Sequence, residues 1–242
     1  VVECVVISKR VSSRLVETLK GRHPDERHYS SVIGERDADV YWPDGTLLLS
    51  YRKGVVPATL RNLSRKSLEV MAKPTNKRPI AAGENAVFHN NFAGFYEGKP
   101  AAFNSGHPAH WRHVLPLLRL LDLTFRETRP NEYATLAAAA GSISTGRLIP
   151  DTSFTTVTAN LCATGIHQDP NNLDGGLGAL TAMRSDGFVG GLLVFPAADL
   201  AVDLYPGDVL IADNREYHGN TRFLSGSRAT AVAYFNASNL RY

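Results

Sequence analysis

With 242 residues, 43% apolar and 20% charged, the chain can bury one substantial core and is not compositionally disordered. A formal net charge of +3 permits an anionic substrate without requiring one, and gives nucleic-acid binding little weight by itself. The two cysteines stand outside any Cys-x-x-Cys pair, which excludes a disulfide framework or a thiolate zinc site, and no apolar run nears the roughly 20 residues of a membrane span. We therefore expect a soluble, intracellular protein without a membrane partner, nuclear in a eukaryote and cytoplasmic in a bacterium or virus. Because the chain opens on Val1 rather than Met, it reads as processed or cut from something longer.

The β-branched run 1–8 predicts a strand, and Leu15 and Leu19 mark a short helix within 10–20. Polar residues 22–39, punctuated by Pro24 and Gly34, read as a surface loop; a turn over 41–45 then leads into a strand at 46–51. Pro57 suits the first turn of a helix reaching about residue 72, with Leu60, Leu63, Leu68 and Met71 inward. The aperiodic stretch 73–79 reads as a solvated loop or a positive rim able to meet phosphate through Lys73, Lys77 and Arg78. His107, His110 and His113 recur at a helical spacing that turns the third ring away from the first, so they do not share a metal. A leucine-rich helix follows, in which Pro116 predicts a kink or break, and a second helix runs over 131–140.

From residue 153 onward the texture changes to short β-rich runs at 154–161, 178–184, 190–195, 200–204, 209–212 and 229–235. We expect an α+β fold: a double-stranded β-helix, or cupin-like jelly roll, with helices packed on one outer face. It forms a single domain over 1–242, in which a helix-rich half (about 1–150) supports the core (about 151–242). Nothing in the sequence fixes the oligomeric state.

His167-Gln-Asp169 lies between two of these strands, and in extended chain residues i and i+2 share a face. His218, after the 208–213 run, supplies a second imidazole. Two His and one carboxylate with open coordination positions suit non-haem Fe(II) and oxygen chemistry. Asp213 reads instead as a turn residue and Glu216 as a solvated one. Arg228-Ala-Thr230 repeats the i, i+2 pattern, offering a guanidinium and a hydroxyl to a carboxylate. Thr155, Thr156, Thr158 and Asn160 precede the metal motif, and half of them must face inward, where they can bind the cosubstrate. The glycines of Gly190-Gly191 allow another group to approach closely.

The runs 154–160, 190–196 and 201–208, with His167-x-Asp169 and His218-Gly-Asn-Thr221, resemble the dioxygenase core of the TET/JBP family within the Fe(II)/2-oxoglutarate superfamily. The resemblance spans roughly 73–235. It implies Fe(II) on His167, Asp169 and His218, and 2-oxoglutarate held by Arg228 and Thr230, with Asn160 facing the same site. Cosubstrate decarboxylation to succinate and CO2 would then be coupled to C–H hydroxylation. It also implies DNA as partner, with the 5-methyl group of 5-methylcytosine or thymine as target and ascorbate as an optional reductant; phosphates would meet Lys73, Lys77, Arg78, Arg184 and Arg222. Hydroxylation of a small molecule or of a protein side chain stays open. A redox-inactive cupin-like binding protein is the rival of another class, and Arg228 argues against it.

Overall fold

The computed structural model describes residues 2–8, 10–73 and 90–242. Lys77 and Arg78 lie outside the described residues. In chain order the first half forms β1 (Glu3–Val6), α1 (Ser13–Glu17), β2 (Ser31–Ile33), β3 (Ala38–Tyr41), β4 (Leu47–Arg52), α2 (Ala58–Met71), β5 (Asn90–Tyr96), β6 (Lys99–Pro100), α3 (Ala102–Gly106), α4 (Pro108–Thr128) and α5 (Pro130–Gly141). The second half forms β7 (Thr156–Asn160), β8 (Gly178–Arg184), β9 (Val189–Gly190), β10 (Leu193–Phe195), β11 (Leu200–Val202), β12 (Val209–Ala212), β13 (Gly219–Asn220), β14 (Phe223–Ser225) and β15 (Arg228–Tyr234). A nine-stranded sheet runs β1-β3-β4-β12-β8-β15-β7-β5-β6; a four-stranded sheet runs β13-β10-β11-β2; β14 and β9 pair separately.

Strand alternation divides the large sheet into two chemical faces. Odd residues Val157, Ala159, Ala179, Met183, Val209, Ile211, Ala229, Ala231 and Ala233 pack with Leu68, Met71, Leu117, Leu121 and Phe125 of α2 and α4. On the even face Leu180, Ala182, Leu210, Ala212 and Val232 pack with Leu193, Phe195, Leu200 and Val202 of the smaller sheet. The helices thus cover one outer face and the jelly-roll interior opens on the other, as the sequence predicts. Among the described residues no helix is long and apolar enough to cross a membrane.

Four local expectations change. Segment 22–39 is not all loop: β2 pairs in parallel with β11, and β3 is held between β1 and β4. These partners lie elsewhere in the chain, so no local periodicity marks them. The run 190–195 is not one strand but the end of β9 and then β10, because Gly190, the last residue of β9, and Gly191 after it both take positive φ. Leu63 faces outward, 42% exposed, because the buried stripe of α2 runs through Ser64, Ser67, Leu68 and Met71. Finally, α4 continues through Pro116. That residue is exposed, so the Arg112 carbonyl it frees can reach water, while Val114, Leu117, Leu118 and Leu121 pin both halves to the sheet.

Buried Asp122 joins α4, α5 and the approach to β7, accepting from the Tyr133 hydroxyl at 2.9 Å and the Ser153 N–H at 2.8 Å. Burial nevertheless raises its carboxyl pKa above the usual 3.8. A raised carboxyl pKa means that its stabilisation is fullest when protonated and declines as pH rises from the unfolded value through the folded one. Asp122→Asn should therefore leave the Tm at pH 7 unchanged or higher. Asp122→Ala should lose about 1–3 kcal/mol by stranding its donors; melts at several pH values measure both.

Candidate active site

The triad is built on a pair of short ribbons. His167 and His218 face each other across an antiparallel bridge in which each main-chain N–H donates to the other's carbonyl at 2.9 Å. Gly219 permits this approach, since a Cβ there would lie 2.8 Å from Ile166 N. Both rings are oriented alike: Nδ1 lies 2.8 Å from the carbonyl two residues back, that of Gly165 for His167 and of Glu216 for His218. Each Nδ1 therefore carries the hydrogen, and each Nε2 lone pair is left to a ligand. Asp169 Oδ1 stands 3.7 Å from His167 Nε2, and Oδ2 stands 4.0 Å from His218 Nε2. One potential ligand atom from each residue lies within 4.8 Å of the others. The Asp169 N–H donates to the Asn214 carbonyl at 3.0 Å, fixing the turn. Burial, and secondarily His167, lowers the His218 pKa, so this ring is neutral and ready to ligate.

The same cavity, about 260 Å³, reaches Arg228. This guanidinium is 5% exposed and pairs with no carboxylate among the described residues; one Nη donates to the Gly191 carbonyl. A Cβ on Gly191 would fall 3.0 Å from that Nη, which is why a glycine pair precedes β10. Phe223 packs its ring 4.7 Å from the guanidinium carbon. Burial, then neighbouring Arg184, pushes the Arg228 pKa down to about 9. Five residues lining the cavity carry a buried polar atom with no hydrogen-bond partner among the described residues: Arg228 Nε, Thr230 Oγ1, Asn160 Oδ1, Asn172 Nδ2 and Asn214 Nδ2. Thr230 and Asn160 are cross-strand partners on β15 and β7. The Arg228 guanidinium and the Thr230 hydroxyl are donors, and a buried cation left unpaired is costly by itself, so these two fit a carboxylate ligand; Asn160 Oδ1 would need a donor instead. The donor set therefore fits both Fe(II) at the triad and a dicarboxylate reaching Arg228.

Other predicted residues are placed differently. Arg184 is ion-paired to Asp203, stacks 5.1 Å from the Tyr205 ring and lines a second groove rather than the triad cavity. Arg222 is exposed on that same groove, and Lys73 follows the C-terminus of α2. Asp213 caps its own turn by accepting from the Arg215 N–H at 2.9 Å. Glu216 is not simply solvated: it pairs with Arg10 at 2.6 Å while its carbonyl orients His218. Phe92, Tyr96, Asn172, Asn214 and Tyr234 also form the cavity wall, and no sequence motif names them. Of these, Tyr234 has a sequence signal, being even-numbered on the strand of Arg228 and Thr230.

No family model matches the chain. The solved structure of NgTET1 in complex with 5mC DNA superposes with a TM-score of 0.62, covering 95% of this chain and 92% of its own at 13% identity. The chain thus shares its jelly-roll fold with NgTET1. In sequence the chain is similar to the thymine dioxygenase JBP1 of Leishmania major (26% identity over 248 residues, 95% of this chain) and of Crithidia fasciculata (26% over 251 residues, 97% of this chain). It spans about 30% of the length of either relative. The likeness to TET/JBP oxygenases holds in both sequence and fold.

Proposed function

We propose that this chain is an Fe(II)- and 2-oxoglutarate-dependent oxygenase that hydroxylates a C–H bond, and that its target is the 5-methyl group of thymine or 5-methylcytosine in DNA. The observation that carries this reading is the joining, in one cavity, of a His-Asp-His cluster with a buried guanidinium that has no carboxylate partner among the described residues. His167, Asp169 and His218 would hold the iron; Arg228 and Thr230 would hold the far carboxylate of 2-oxoglutarate, with Asn160, the cross-strand partner of Thr230, lining the cosubstrate site. Together these cofactors supply oxygen activation coupled to loss of CO2. Asp169 keeps a carboxylate where halide would need a vacant position, which favours hydroxylation over halogenation. Phe92, Tyr96 and Tyr234 give the wall flat apolar surface, compatible with a planar heterocycle. Strands from both halves share the large sheet, which supports reading 1–242 as one catalytic domain. The DNA target draws its support from the names of the relatives and of the NgTET1 complex.

The test is succinate release from the iron-loaded protein with thymine- or 5-methylcytosine-containing DNA, free nucleosides or no substrate, each with and without ascorbate, followed by mass spectrometry of the bases. We expect coupled turnover and a +16 Da base with DNA alone. Turnover with nucleosides and none with DNA would replace the target with a small molecule.

A further inference from the structure

Lys20, Gly21 and Arg22 form a third ribbon beside the two that carry the triad. The Gly21 N–H donates to the Ile166 carbonyl at 2.8 Å, and the Ile166 N–H donates to the Arg22 carbonyl at 2.8 Å. The segment is thereby fastened to the residue immediately before His167. Gly165 makes this contact possible, since a Cβ there would lie 2.6 Å from Gly21 O. Gly21 lines the catalytic cavity, while Arg22 lines an open groove of about 1030 Å³. Neighbouring residues also divide between the two spaces at Gly165 and Ile166, Leu193 and Leu192, and Asn220 and Thr221, so the partition is one chain thick.

Three of the other basic side chains nearby are already held in ion pairs. Arg27 is paired with Asp25, Arg184 with Asp203 and Arg215 with Asp174. Lys20 and Arg22 are exposed and their side chains make no ion pair among the described residues. Of the acids lining the groove, Asp25 and Asp203 are engaged, leaving Glu26 as the one without an ion pair among the described residues. Tyr29, Phe188 and Tyr205 add aromatic surface, and cations interleaved with aromatic rings suit a nucleic-acid strand.

We propose that Lys20 and Arg22 are a phosphodiester clamp at the rim of the catalytic cavity, holding the backbone of the strand whose base enters it; this rests on the DNA reading above. A base delivered to an iron site must leave the stack, and its flanking phosphates then lie at the cavity mouth. Cations fixed by the main chain to the strand of His167 would set the register between backbone and metal.

The experiment is fluorescence anisotropy of labelled single-stranded and duplex thymine-containing oligonucleotides, titrated with wild type and Lys20→Ala/Arg22→Ala from about 50 to 200 mM salt. The double variant should bind more weakly at low salt, with a slope of log K against log salt shallower by about 1 to 2. Lys20→Arg/Arg22→Lys should keep the wild-type slope. Lys66→Ala/Arg112→Ala, which removes equal charge from α2 and α4, should change it less. A Mn(II)-induced thermal shift equal to wild type shows that the clamp variant retains its metal site. A double variant with the wild-type slope overturns the clamp while DNA binding stands. A wild-type protein that binds neither oligonucleotide overturns the DNA reading, and the clamp with it.

Discussion

Asp169→Ala should abolish turnover and lower Fe(II) affinity by at least about 100-fold, more than is usual for losing a group behind the ligands. His167→Ala and His218→Ala should do the same. Asp169 is the one member within 4.0 Å of both imidazoles and supplies the only negative charge of the set, so its loss leaves two neutral donors for a dication. The main-chain bridge between His167 and His218 does not depend on these side chains, and the metal-free variants should fold. Thermal melts with and without Mn(II) separate the effects. Saturation at about 100 times Kd should add about 2.7 kcal/mol of stability to wild type and almost none to the variants. An Asp169→Ala protein that retained the metal-induced shift and full turnover would remove the triad assignment.

For Arg228 the structure predicts opposite signs for function and stability. Arg228→Ala removes a charge-assisted contact worth about 2–5 kcal/mol, raising the apparent 2-oxoglutarate requirement by about one to three orders of magnitude. Metal binding should persist, because Arg228 is on β15 and none of the metal ligands is. Arg228→Met should weaken 2-oxoglutarate as strongly, yet leave the cosubstrate-free protein as stable as wild type or more so. The buried guanidinium has no carboxylate partner among the described residues, and replacing buried charge by matched apolar volume is often neutral or stabilising by about 1–4 kcal/mol. Titrations of 2-oxoglutarate monitored by succinate release, alongside melts without cosubstrate, read the two signs separately. If Arg222→Ala raised the requirement and Arg228→Ala did not, the wrong arginine would have been assigned.

The chemistry of the second half was legible in the sequence because it rests on short periods. Side chains at i and i+2 share a face, so His167 with Asp169, and Arg228 with Thr230, can be paired without knowing the fold. Gly, Pro, Asp and Asn punctuating β-rich runs delimited β8 and β12, whose bounds match the predicted runs. Tertiary structure decided the rest, wherever a partner lay far along the chain. It joined β2 to β11 out of a segment that reads as loop, and drew Arg184 into an ion pair with Asp203 and away from the cavity mouth. It also fastened Lys20 and Arg22 beside His167, about 145 residues away, through main-chain hydrogen bonds that any sequence could make. Only the absence of a Cβ at Gly165 marks that approach. A glycine in a sequence permits close packing without saying against what.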